Sequence, residues 1–151
     1  MQIIDEATLR QHVGRSVALD AVESAFRALG EDRVTQPTPM GLDIEPVGGE
    51  VHVKSAYLSG APVFAVKIAS GFYANGERGL PSGSGLMMVC DATTGFPLAL
   101  LLDNGYLTDL RTAAAGALAT PVVLSSPNTY WFTQLIYQWF NMNDNWSRGS
   151  A

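Results

Sequence analysis

The chain holds one cysteine, two histidines and two lysines in 151 residues, and each scarcity removes a class of protein. A lone Cys90 cannot form an intrachain disulfide or a multi-cysteine zinc site. His12 and His52 stand forty residues apart, so no metal is expected. Nine basic residues against 14 acidic ones give a formal charge of −5. That balance leaves no basic stripe to neutralise phosphates, which argues against nucleic acid or an anionic membrane as a partner. No uncharged apolar run approaches the roughly 18–20 residues of a membrane span. Asp5 and Glu6 stand where a signal peptide would be basic. The sequence therefore reads as cytoplasmic, with neither a membrane nor a nucleic-acid partner.

What is present is enough for one globular domain. Apolar residues make up 47% of the chain and charged ones 15%, interrupted by 15 Gly and 8 Pro. This is too apolar for disorder and too broken for a coiled coil. Asp5 can cap a short helix over Glu6–Val13 that Gly14 ends, and Ser16 can cap a longer one that Gly30 ends. Val17, Ala21, Val22, Ala25, Phe26 and Leu29 recur at helical spacing and predict one apolar face on that second helix. The period then changes to two. Met40, Leu42 and Ile44 alternate, as do Val51, Val53 and Ser55, and Phe64–Ala69 and Leu86–Cys90 are short apolar runs bounded by turn residues. Asp91-Ala-Thr-Thr-Gly95 separates Leu86–Cys90 from Phe96–Leu102 and predicts an antiparallel hairpin. Thr108 can cap a last, alanine-rich helix that runs to Ala119, before Pro121. Helices, then hairpins, then a helix predict an α+β fold, an antiparallel sheet covered by helices on one face.

The composition shifts at about Ser125. From Pro127 to Trp146 there is no Ala, Val, Gly, Lys or Glu, and all three tryptophans lie in that stretch. The expected division is therefore 1–125 as the domain and 126–151 as an aromatic-rich helical tail. Trp131, Leu135, Ile136, Trp139 and Phe140 can share one helical face, and they are expected to pack on the domain or on a partner subunit.

Several blocks between Gly49 and Thr120 carry a more specific signal: Gly-Glu-Val-His-Val-Lys-Ser-Ala-Tyr at 49–57, Ala-Val-Lys-Ile at 65–68, Gly-Phe-Tyr-Ala-Asn at 71–75 and Gly-Leu-Pro-Ser at 79–82. The longest is Leu-Leu-Leu-Asp-Asn-Gly-Tyr-Leu-Thr-Asp-Leu-Arg-Thr-Ala-Ala-Ala-Gly at 100–116. With these blocks the chain resembles the ornithine cyclodeaminase and mu-crystallin family, most closely its ectoine-utilisation branch. The resemblance implies the family's N-terminal domain, which lends part of the substrate pocket and makes a dimer by joining sheets across a two-fold axis. Family members are usually more than twice as long and carry a Rossmann domain after the Arg-Thr-Ala-Ala helix, where NAD or NADP binds. No such domain is expected here. Gly83-Ser84-Gly85 precedes the strand-like Leu86–Cys90 rather than a helix, so it lacks the context of a dinucleotide loop.

By the same resemblance, Lys67 and Arg111 match residues that hold the substrate carboxylate, and Ser82 and Thr112 match positions near the cofactor. The residue types suit the task, since a guanidinium offers a bidentate fork and an ammonium a compact charge. Two departures weaken the match. Many relatives carry a carboxylate-gripping arginine soon after the Gln-Pro that precedes the first strand, and Gln36-Pro-Thr-Pro-Met40 has none. The acid that works on the substrate amine or imine belongs to the Rossmann part. Elsewhere the residues read as ordinary: Cys90 as a small buried hydrophobe, His52 as a surface or pocket-rim histidine pointing away from Val51 and Val53, and Lys54 as solvated. The expected function is that of a truncated family member: a homo-oligomer, most simply a dimer, that binds a small amino or keto acid and has no cofactor or catalytic residue of its own. The alternative is cyclodeaminase, imine reductase or amino-acid dehydrogenase activity with the NAD(P) domain supplied in trans.

Overall fold

The computed structural model describes residues 1–124, with side chains described through residue 120. The chain opens with β1 (Gln2–Asp5), α1 (Glu6–His12) and α2 (Arg15–Gly30). Five strands follow the short β2 (Val34–Thr35): β3 (Met40–Ile44), β4 (Gly49–Leu58), β5 (Val63–Phe72), β6 (Gly83–Asp91) and β7 (Pro97–Leu102). Helix α3 (Tyr106–Leu124) closes the described part. The expected α+β architecture is therefore the observed one.

The sheet has seven strands in the order β1-β7-β6-β5-β4-β2, with β3 also paired to β4. Every pairing is antiparallel except β1 with β7. The predicted β6–β7 hairpin forms because Asp91 organises its own turn. Its Oδ1 accepts from the backbone N–H groups of Thr93 at 2.9 Å and Thr94 at 2.7 Å, and Gly95 takes the left-handed φ of 75° that closes the loop.

Register divides the sheet into two faces of opposite character, because side chains alternate across a strand. One face carries Met40, Leu42, Val51, Val53, Phe64, Val66, Ile68, Leu86, Met88, Cys90 and Leu100, which align across β3 to β7. The other carries Glu50, His52, Lys54, Lys67, Gly85 and Met87. Helix α3 lies over this second face, from which Lys67 bonds to its Thr108. The turn that leads into α3 passes Gly85, where a Cβ would stand 3.0 Å from the Ile68 carbonyl oxygen on β5 and 3.7 Å, an ordinary contact, from the Gly105 nitrogen.

Several local expectations are corrected. The first residues form a strand, and β1 joins β7 in parallel; four residues gave no periodicity from which to read it. Asp5 does cap α1, accepting from Thr8 N–H at 2.8 Å. Helix α2, by contrast, starts one residue before Ser16, with Gly14 at its cap position and no side-chain cap. Its predicted apolar face stays largely open, with Val17, Phe26 and Leu29 exposed; α2 packs on α3, and its buried residues are the small Ala18 and Ala28. Helix α3 is capped by Asp103 rather than Thr108. The Asp103 Oδ2 accepts from Leu107 N–H at 2.9 Å, two residues before Thr108 could have begun a helix. The helix also continues past Pro121 to Leu124. The tail residues Trp131, Leu135, Ile136, Trp139 and Phe140 lie outside the described residues.

Candidate functional site

Lys67 sits in the middle of β5 on the helix-covered face, half-buried. Its Nζ donates to the Thr108 hydroxyl in the first turn of α3, 2.9 Å away and 41 residues on in sequence. Thr108 is free to face the sheet because Asp103 has taken over the capping duty. Burial pushes the Lys67 ammonium below the ordinary lysine range, and the positive charges of Arg111 and Lys54 push it further. Asp103 and Asp109 oppose that trend more weakly. Partial burial, with the charge of Asp103, raises the Asp109 carboxyl above the usual aspartate range. Among the described residues no carboxylate pairs with the Lys67 ammonium within 4.0 Å, although Asp103 and Asp109 act on it from farther off.

Arg111 lies one helical turn beyond Thr108 and is exposed. Among the described residues the ion pairs are Arg10 with Glu6, Arg27 with Glu23, Arg33 with Glu31 and His52 with Glu50. None of them engages Lys54, Lys67 or Arg111 within 4.0 Å. Two further side chains fix the frame of α3. Tyr106 donates its hydroxyl to the Val13 carbonyl at 2.7 Å, and the Arg10 guanidinium stacks 4.0 Å from its ring. Together they tie α1 to the end of α3 from which Thr108 and Arg111 project.

Of the residues singled out from sequence, the structure brings Lys67 and Arg111 together and places Thr112 on the same helix. The Thr112 hydroxyl is engaged at home, donating to the Thr108 carbonyl at 2.7 Å. Ser82 is buried at the other end of the ladder, five residues along β6 from Met87, the register partner of Lys67. At roughly 3.3 Å per residue it is about 16 Å along the strand from that partner. Its carbonyl accepts from Phe72 N–H at 2.7 Å and so closes the β5–β6 ladder. Cys90 is buried, 3% exposed, as expected for a small strand hydrophobe. His52 stands beside Glu50, which also accepts from the Tyr73 hydroxyl at 2.6 Å. That bond holds the Glu50 carboxyl below its ordinary range and the Tyr73 phenol above its own.

Lys54 is exposed, in keeping with its reading as solvated. The bond from Lys67 to Thr108, the capping by Asp103 and the pairing of Lys54 with Lys67 were missed from sequence, and the signal for the last was available. The β4–β5 loop turns about the Gly60–Ala61 bond, and Lys54 and Lys67 are equidistant from it, hence directly paired.

Gly83-Ser84-Gly85 does not form a dinucleotide-binding turn. Gly83 and Gly85 lie inside β6, paired with Gly71 and Ala69, so their backbone amides serve the sheet rather than the mouth of a helix. Among the described residues no cluster of three His, Cys, Asp or Glu could hold a metal ion, and no helix is long and apolar enough to cross a membrane.

Comparison with known proteins matches this arrangement to one family. The sequence model of the ornithine cyclodeaminase/mu-crystallin family matches residues 3–129. An uncharacterized cyclodeaminase of Sinorhizobium fredii is 51% identical over 123 residues, covering 79% of this chain and 37% of that protein. The structure of Thermococcus litoralis Δ1-pyrroline-2-carboxylate reductase, in complex with NADH and L-proline, superposes with a TM-score of 0.75 at 30% identity, over 80% of this chain and 37% of that one. An archaeal alanine dehydrogenase dimer with bound NAD gives 0.72 at 30% identity, over 79% and 36%. The chain thus spans little more than a third of the length of the relatives it matches.

Proposed function

Because this chain belongs to the ornithine cyclodeaminase/mu-crystallin family, we propose that it supplies the carboxylate-gripping part of a substrate pocket, in a cytoplasmic homodimer that binds a small amino or keto acid. Lys67 and Arg111 hold the carboxylate. One observation carries this reading: the Lys67 ammonium is half-buried, bonded to a neutral hydroxyl and without a carboxylate within 4.0 Å among the described residues, and the positive charges of Arg111 and Lys54 outweigh the more weakly acting Asp103 and Asp109. Burying a charge among like charges is unfavourable unless an opposite charge arrives to pair with it. A ligand carboxylate is that charge, with Arg111 offering it a bidentate fork and Lys67 a point contact.

The dimer is supported by the apolar face of the sheet, where Ile3, Met40, Leu42, Ile68, Leu98 and Leu102 are exposed. A contiguous exposed apolar face is costly in water at roughly 25 cal/mol per Å² and marks an association surface. The aromatic tail, through Trp131 and Trp139, is proposed to cover further apolar surface of the domain or of the partner subunit.

Calorimetric titration with L-proline, L-ornithine and pyruvate tests the pocket. At least one should bind, and Lys67→Met and Arg111→Met should each weaken it about tenfold or more. Absence of heat for all three would end the carboxylate reading. A second reading, reduction of a cyclic imine or a keto acid with the cofactor domain supplied in trans, is favoured by the NADH and L-proline held by the Thermococcus litoralis relative. On the first reading the chain alone consumes no NADH or NADPH with pyrroline-2-carboxylate; steady consumption would overturn its non-catalytic part.

A further inference from the structure

The chain's only two lysines are register partners. Lys54 on β4 stands directly opposite Lys67 on β5, both on the helix-covered face. Like charges directly opposite each other in a sheet destabilise it. In a chain with 14 acidic residues and a net charge of −5, a carboxylate partner for either lysine would be easy to provide. Yet neither has one within 4.0 Å among the described residues, and Arg111 adds a third positive charge beside Lys67. Three of the neighbours on that face are alanines, Ala56 beyond Lys54 on β4 and Ala65 and Ala69 flanking Lys67 on β5, while His52 precedes Lys54 and Met87 on β6 stands opposite Lys67. Lys54 is exposed and Lys67 half-buried, so the pair is open to solvent on the Lys54 side.

We propose that Lys54 is a specificity-determining residue which, next to Lys67 and Arg111, selects a ligand bearing two carboxylates, an amino, imino or keto dicarboxylic acid, over one bearing a single carboxylate. The assignment rests on the carboxylate-binding role of Lys67 and Arg111 proposed above, and extends it. The first carboxylate lies on the α3 side, between Arg111 and Lys67. The second lies one strand further from α3, between Lys67 and Lys54. Neighbouring strands are roughly 4.8 Å apart, a spacing that suits two carboxylates joined by a two- or three-carbon chain. A ligand of net charge −2 also relieves the repulsion between the lysines, which a single carboxylate does only in part.

The test is calorimetric titration of the 151-residue chain at low ionic strength with succinate, butyrate and inorganic phosphate. Succinate should bind about tenfold more tightly than butyrate, a difference of about 1.4 kcal/mol. Lys54→Gln should abolish that preference by weakening succinate alone, with butyrate affinity unchanged, and Lys54→Arg should keep it. Lys67→Gln should weaken both acids. An unchanged succinate-to-butyrate ratio in Lys54→Gln would overturn the role of Lys54 while leaving the carboxylate site intact. Phosphate bound as tightly as succinate, and as dependent on Lys54, would overturn the assignment to two separated carboxylates. Wild-type protein that binds neither acid would overturn the carboxylate site and the role of Lys54 with it.

Discussion

The Lys67 ammonium is held against Thr108 by a geometry that depends on one buried acid. Asp103, 3% exposed, accepts from Leu107 N–H and its carbonyl accepts from Tyr106 N–H at 2.8 Å, so it sets where α3 begins and hence where Thr108 and Arg111 point. Asp103→Ala should cost about 1–2 kcal/mol of stability in urea unfolding, the usual worth of a lost cap, and should weaken carboxylate binding too. Asp103→Asn keeps an accepting oxygen and should lose much less. Equal stability of Asp103→Ala and wild type would mean that α3 starts elsewhere. Lys67 could be singled out in the sequence because it sits inside a family block, whereas Thr108 was expected to cap α3 and Asp103, which does so, was not considered for it. Both are good cap residues, and the tertiary bond from Lys67 engages Thr108 elsewhere.

At the scale of elements, the antiparallel core was legible from alternation and turn residues, and β1 was not, since its pairing with β7 joins residues almost a hundred positions apart. The two faces follow from the same alternation. Met40 and Leu42 on β3 and Ile68 on β5 line one side of the sheet, and all three are exposed. If this face joins two copies, Leu42→Lys together with Ile68→Glu should convert a dimer to a monomer in sedimentation velocity, with the sheet still folded by circular dichroism. A wild-type chain that sediments as a monomer at micromolar concentration would remove the association from the account. The apolar stripe predicted on α2 shows the limit of periodicity. Helical spacing finds the residues that share a face but not which neighbour will cover it, and the residues α2 buries are Ala18 and Ala28 instead.

For the molecule as a whole, an excess of acids is combined with a local collection of cations, and the second fact is invisible in the first. Net charge argued only against polyanionic partners, and it took the register of β4 and β5 to show both lysines on one face beside Arg111. The central claim is that this positive ground receives a carboxylate, and pH gives it a sign. In the folded protein Lys67 loses its proton more readily than an ordinary lysine. Its charged form therefore costs stability below its folded pKa, and the cost disappears as pH rises from that value to the ordinary lysine value. A bound carboxylate favours the charged form, so affinity should fall as pH climbs through the depressed pKa. With two lysines in the chain, uniform [ε-13C]lysine labelling yields two side-chain resonances to follow by NMR. A pH titration of those signals, without and with saturating succinate, is the most direct measurement. The account predicts that the Lys67 signal titrates below the ordinary lysine range in the free protein, moves on adding succinate and then titrates at higher pH. A Lys67 pKa that is the same with and without the ligand would contradict it.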